Sequence, residues 1–189
     1  MRLSERYAVP VAAALLYEFI NTRDQRRYIE HGAPHRAVDA IAEPATLLAW
    51  LRAQGLDAAE MPTPTMHHQT LALRDALRDF IATAPPMRRP DAALDRAAMH
   101  FPLIVSIGMG GAPQLMPAPG SGALGRVLAE FQTLQVTNQL ARLKMCDSEE
   151  CRWVFFDRSK PANRRWCSSA LCGNRQKTRL YRSRLRAAL

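Results

Sequence analysis

Four cysteines, Cys146, Cys151, Cys167 and Cys172, constrain this chain more than any other feature. They are all the cysteines of a 189-residue sequence, and they fall within 27 positions as C-x4-C, fifteen intervening residues, and C-x4-C again. Pair, spacer, pair suits one tetrahedral zinc, because each pair offers two thiolates from a tight turn while the spacer folds back as a hairpin. C-x2-C is the more frequent spacing, yet x4 at both ends lies within the usual range and a duplicated pair seldom arises by accident. Two disulfides would instead require an oxidising compartment and usually accompany a small secreted scaffold. Four thiols acting as small apolar core residues would have no reason to cluster. The expectation is one structural Zn2+ per chain, held by four thiolates. Such a site closes every coordination position, and with no Ser-His-Asp order or carboxylate pair legible elsewhere, the chain reads as a non-enzyme.

The compartment follows from the N-terminus. In MRLSERYAVPVAAALLYEF, Glu5 sits in the would-be basic region of a signal peptide, Pro10 interrupts the apolar run, and Glu18 closes it without a small-residue cleavage site. Residues 8–17 are too few to span a bilayer. The stretch reads as a buried element of a cytoplasmic protein with no membrane partner. Reducing conditions there leave the thiols available to metal.

Charge divides the chain in two. Its net charge is +9, and residues 142–189 hold thirteen Lys/Arg against four Asp/Glu, which is 13 − 4 = +9. The first 141 residues balance thirteen bases with thirteen acids. A neutral domain, 1–141, followed by a basic cysteine-bearing module, 142–189, is the asymmetry expected when one part meets a polyanion. With 48% hydrophobic residues, the first part can bury a real core.

That first part reads as mainly helical. A helix is expected after Glu43, with Pro44 in its first turn, Leu47, Leu48 and Leu51 as an apolar stripe, and Gly55 as its C-cap. A second runs from about Met66 to Pro85, with Leu71, Leu73, Leu77, Phe80 and Ile81 giving the apolar period and Arg74, Asp75, Arg78 and Asp79 outward. A short third follows Pro90. Leu103–Ile107 and Gln114–Met116 read as a β-hairpin around a turn at Gly108, Gly110 and Gly111; that cluster lacks the phosphate-loop pattern. Helical periodicity returns from Ala123 and carries the chain to Met145, leaving no flexible linker before the zinc module. His31, His35, His67 and His68 read as surface residues without function.

Within the module, Arg152–Asp157 and Arg164–Trp166 are expected to form a hairpin between the cysteine pairs, with Trp153, Phe155, Phe156 and Trp166 supplying a core too small to stand without metal. The last stretch reads as a helix over most of 174–188. Arg175, Arg179, Arg182 and Arg186 share one face, and Leu171, Leu180, Tyr181, Leu185 and Ala188 supply an apolar side for docking. No acid follows Asp157, so nothing internal offsets the repulsion, whereas a polyanion would do so by releasing condensed counterions. Gly173 suggests a close approach or an unusual φ, Asn174 a helix cap, and Arg175 a bond to phosphate or to Asp157.

The runs Cys151-Arg152-Trp153-x-Phe155-x-Asp157, Arg164-Arg165-Trp166-Cys167-Ser168 and Cys172-Gly173-Asn174-Arg175-x-Lys177 resemble the CGNR zinc-finger family. Phe19–Thr22, Leu47–Gly55 and Leu71–Phe80 are more loosely similar to the domain that precedes this finger in bacterial putative stress-induced transcription regulators, with Glu18 where aspartate is common. The resemblance implies zinc on the four cysteines, a mainly helical first domain and a role in transcription through DNA.

The fold class expected is therefore mainly α: a multihelical regulatory domain with a small β-hairpin, then a four-cysteine module of hairpin and basic helix. Arg164, Arg165, Arg175, Lys177, Arg179, Arg182 and Arg186 are the candidates for nucleic-acid contact. The neutral domain is expected to sense a small-molecule effector or to mediate homo-oligomerisation. The competing function is a zinc-stabilised interaction module whose basic helix meets an acidic protein.

Overall fold

The computed structural model describes the chain except for positions 31, 90, 108–112 and 188–189 and the side chain at position 30. The readings for His31, the breaker Pro90, the glycine turn at Gly108, Gly110 and Gly111, and Ala188 lie outside the described residues. The helices are α1 (Leu3–Arg6), α2 (Ala14–Ile20), α3 (Pro44–Ala53), α4 (Pro64–Ala82), α5 (Ala92–Ala98), α6 (Gly125–Val136) and α7 (Asn174–Ala187). The strands are β1 (Arg23–Asp24), β2 (Ile29–Glu30), β3 (Ala33–Pro34), β4 (Val38–Asp39), β5 (Leu103–Ile107), β6 (Pro113–Pro117), β7 (Leu143–Met145) and β8 (Val154–Phe156). They pair only as antiparallel two-stranded units: β1 with β4, β2 with β3, β5 with β6 and β7 with β8. The protein is mainly α, as its periodicity implies.

Helix α2 lies at the centre. Its Leu16, Tyr17, Phe19 and Ile20 are wholly buried, and α4 and α6 close around them with Leu73, Leu77, Ile81, Val127, Phe131 and Leu134. Local signals set the helix ends. Pro44 begins α3, Thr63 accepts a hydrogen bond from Met66 N–H at the start of α4, and Asp91 accepts from the Ala93 and Leu94 N–H groups at the start of α5. Gly55, at φ +69°, ends α3 while Leu56 N–H returns to the Leu51 carbonyl. At Gly125 a Cβ would fall 2.9 Å from the Pro117 ring, so the β5–β6 hairpin sits against the start of α6 only because that residue lacks one.

Two expectations need correction. Helix α6 stops at Val136; Asn138, at φ +56°, turns the chain, and a 3-10 turn at Leu140–Arg142 delivers it into the zinc module as strand β7, not as a helix. Arg74 and Arg78 do not face solvent. They are 2% and 3% exposed, because each finds carboxylate or carbonyl partners inside. Arg74 forks onto Asp39 at 2.6 and 2.7 Å, which ties the β1–β4 hairpin to α4.

Glu130 reaches from α6 to accept the Leu16 N–H at 3.0 Å, in the first turn of α2. Burial raises its carboxyl from the ordinary 4.5 to about 7, despite the backbone hydrogen bonds that oppose the shift. The native state therefore holds this proton more tightly than the unfolded chain does. Its contribution, at most about 3 kcal/mol, is complete below the unfolded value and is lost as pH rises through about 7. We expect Glu130→Gln to flatten the fall in thermal stability between pH 4.5 and 7; an unchanged slope in that variant would place the titration elsewhere.

Candidate metal centre and basic helix

The first cysteine pair sits in the turn between two strands. Leu143, Lys144 and Met145 pair with Phe156, Phe155 and Val154, and the Cys146 N–H continues the ladder to the Trp153 carbonyl at 2.9 Å. Between them Ser148 accepts from the N–H groups of Cys151 and Arg152, and Arg152 takes φ +48° to bring Cys151 back beside Cys146. The hairpin thus encloses the first pair instead of joining the two pairs, and Arg164–Trp166 is not a strand. The earlier strand wins because Leu143 and Met145 bring buried side chains, whereas Arg164 and Arg165 carry charges.

The second pair brackets the entry to the last helix. Ser168 Oγ accepts the Leu171 N–H and its carbonyl accepts the Gly173 N–H, which winds Ser169–Gly173 into a π-helical turn running directly into α7. Ser168 is therefore the cap, and Asn174 is left exposed at the first position of α7. Gly173 has no positive φ, and a Cβ there would meet nothing nearer than 3.8 Å. Asp147 N–H to the Arg165 carbonyl at 3.0 Å, and Arg165 to the Asp147 carboxylate at 2.6 Å, clasp the two halves.

All four Sγ atoms lie within 4.8 Å of one another. Cys151 and Cys167 are separated by 3.6 Å and Cys167 and Cys172 by 3.7 Å. A tetrahedron of Zn–S bonds near 2.3 Å has edges of roughly 3.8 Å, so the donors already stand at coordinating separation. Three of the four residues are buried. The sulfurs compete for protons: hydrogen bonds from Cys151 and the others draw Cys146 far below an ordinary thiol, while Cys151 and Cys167, hydrogen-bonded to Cys146, are pushed up. A divalent cation among four thiolates resolves that competition. The residues fit one structural zinc.

Asp157 organises the rest of the module. Wholly buried, it accepts from Lys144 Nζ at 2.9 Å, from Ser159 N–H and Oγ, and from the Arg164 N–H. Burial would raise its carboxyl, but the Ser159 and Lys144 hydrogen bonds outweigh it and hold the group at about 2. Arg175 does not reach Asp157. Its guanidinium lies 3.7 Å over the Tyr28 ring, with Nη1 and Nη2 buried and unpartnered.

Other candidate bases divide by environment. Arg164 turns inward, donating to the Cys167 carbonyl at 2.6 Å, and Arg179 is ion-paired with Glu150. Arg165, Lys177, Arg182 and Arg186 are exposed, and Arg179, Arg182 and Arg186 border one shallow groove along α7. No residue of α7 is buried. The apolar side expected to dock does not: Leu180, Tyr181 and Leu185 are 48%, 64% and 50% exposed.

The module is seated on the helical body by residues that periodicity did not single out as functional. Asn21 clamps Val154, donating to its carbonyl at 3.0 Å and accepting its N–H at 3.1 Å. Arg78 donates to the carbonyls of Ile20 and Arg152 at 2.6 and 2.9 Å, and Trp153 Nε1 donates to the Tyr17 hydroxyl at 3.0 Å. The turn polarity of Asn21-Thr22 after an apolar helix was the one sequence signal for this joint.

A helical body, a four-thiolate zinc staple and a protruding basic helix define a zinc-stabilised regulator of modular build. The chain belongs to the family described as "Putative stress-induced transcription regulator" (ABATE), which matches residues 13–142; residues 142–185 match the CGNR zinc finger. Comparison with curated proteins finds no match.

Metal analysis of the purified protein should give one zinc per chain. Cys167→Ser should lose it and expose 158–187 to protease while the helical body stays folded; full zinc occupancy in that variant would contradict the four-thiolate site. Asp157→Asn strands the Lys144 ammonium among carbonyls and should cost about 3–5 kcal/mol at pH 7. In the wild type the Asp157 contribution is present above the ordinary 3.8 and is lost as pH falls through about 2. Denaturant unfolding of the two proteins across that acid range measures the difference.

Proposed function

We propose that this chain is a DNA-binding transcription regulator of a bacterial stress response, acting in the cytoplasm, in which the 142–189 module contacts DNA and the 1–141 domain regulates it. One observation carries the reading. Helix α7 has no buried residue beyond its Arg175 guanidinium, and it holds Arg175, Lys177, Arg179, Arg182, Arg184 and Arg186 without a single acid. A solvated helix of that composition repels itself; phosphates relieve the repulsion and release counterions. Zinc holds its first turn in one orientation, so the row is presented as a unit. Four thiolates leave no open coordination position, and the metal's role in this reading is structural, not catalytic.

Lys177, Arg182 and Arg186 are the residues best free to meet phosphate, with Arg179 joining them by exchanging Glu150 for a phosphate. Arg165 flanks the row, whereas Arg164 and Arg175 serve the module's own structure. The family description supports a role in transcription, and the absence of any helix long and apolar enough to cross a membrane, among the described residues, is compatible with it.

Fluorescence anisotropy with a labelled duplex tests this directly. Affinity should fall log-linearly with salt, and Lys177→Glu/Arg182→Glu/Arg186→Glu should weaken binding at least about 100-fold while lowering the salt slope by about 2–3. The variant should keep its zinc and its melting temperature, because none of the three side chains is buried. Wild-type affinity in the triple variant would reject this helix as the interface. Indifference to duplex DNA with tight binding to an acidic protein would favour the competing module.

A further inference from the structure

A cavity of about 340 Å³ lies where the helical body meets the zinc module, walled by α2, the segment carrying Arg26 and Tyr28, and β8. That volume falls in the range of small-molecule sites. Its walls are aromatic: Tyr17 and Tyr28 from the body, Trp153, Phe155 and Phe156 from the module, with Tyr7 at the rim. Tyr17 and Trp153 meet edge-on with centroids 6.3 Å apart. Such a slot presents flat apolar faces to whatever enters it.

Arginines predominate among the polar groups around it, beside His35, Ser168 and the half-buried Cys167 of the metal centre. Arg6, Arg26, Arg158 and Arg164 line the cavity, and among the described residues no carboxylate does. Arg26 is already neutralised: it forks onto Asp24 at 2.6 to 3.0 Å and lies 4.2 Å over the Trp153 ring. Arg6 and Arg158 are exposed and have no ion pair among the described residues. The Arg164 Nε is buried without a partner. The Tyr17 hydroxyl, wholly buried, accepts from Trp153 and lies behind the cavity wall.

We propose that this cavity binds a small aromatic carboxylate, its ring against the aromatic walls and its carboxylate taken by Arg6 and Arg158. Apolar faces select the ring. The guanidinium geometry selects a planar two-oxygen anion, which accepts two parallel N–H bonds at once. The site is built from both parts of the chain and stands independently of whether α7 contacts DNA.

Isothermal titration calorimetry of the zinc-loaded full-length protein with sodium 2-naphthoate tests it, with 2-naphthamide as the uncharged isostere. We expect one site per chain with Kd below about 1 mM, and the amide at least about tenfold weaker. Arg6→Gln/Arg158→Gln should weaken the acid about tenfold without altering zinc content or melting temperature, since both side chains are exposed. No saturable binding up to about 10 mM, equal affinity for acid and amide, or unaltered affinity in the double variant would each overturn the assignment.

Discussion

The joint between the helical body and the zinc module is made of hydrogen bonds that only a buried cation and a buried amide can supply. Arg78 inserts its guanidinium between the carbonyls of Ile20, at the end of α2, and Arg152, in the cysteine turn. Burial lowers its pKa to about 10, so it remains charged at neutral pH, and the carbonyl and Gln25 acceptors around it offset the cost of keeping the charge inside. Asn21 supplies both a donor and an acceptor to Val154, acting as a short extra strand beside β8. A loosely packed joint would let the module swing. Here its first half is part of the main core, where Trp153, Val154 and Phe155 pack in one cluster with Tyr17 and Ile20.

That shared core changes what the metal must do. A zinc module standing alone depends on metal for nearly all its stability. In this chain β7 and β8 rest on the body through Asn21, Arg78 and Arg88, the last donating to the Leu140 and Leu143 carbonyls. The segment with least support of its own is the second half, from the turn after Asp157 through Cys167 and Cys172 to α7. Two thiolates fixed by the anchored hairpin reach across to two on that segment. The metal is best seen as a staple between a folded platform and a segment that adds only Cys172, with Trp166 and Cys167 packed beside it, to the core.

Where periodicity and local chemistry agreed, the sequence was informative. The C-x4-C pairs, the bounds of α3, and the presence of α5 and of the β5–β6 hairpin are carried by signals within a few residues: thiol spacing, Pro44 and Gly55, the break at Pro90, and β-forming residues on either side of a glycine cluster. Errors arose where tertiary partners decide. Arg74 and Arg78 look like a charged face because nothing local reveals that Asp39 and two distant carbonyls await them. Strand β7 was hidden because Leu143 and Met145 fit a helical stripe as well as a strand. The aromatic cavity joins residues as far apart as Tyr7 and Leu171, a juxtaposition only the fold creates.

The orientation of α7 follows from how little holds it. Beyond its π-helical root, the helix is tied to neighbouring elements by Arg175 over Tyr28 and by the exposed Arg179–Glu150 pair. An exposed pair contributes about 0–1 kcal/mol and a partly desolvated cation–π contact about 1–2 kcal/mol. Both are small beside the several phosphate contacts that the bases from Lys177 to Arg186 would make under the proposed function, each of which would displace counterions. Zinc thus fixes where the helix starts, and little in the fold holds its far end. Tyr28 is the exception to that looseness: the same ring carries Arg175 and walls the aromatic cavity, so the root of the basic helix and that cavity meet at one side chain.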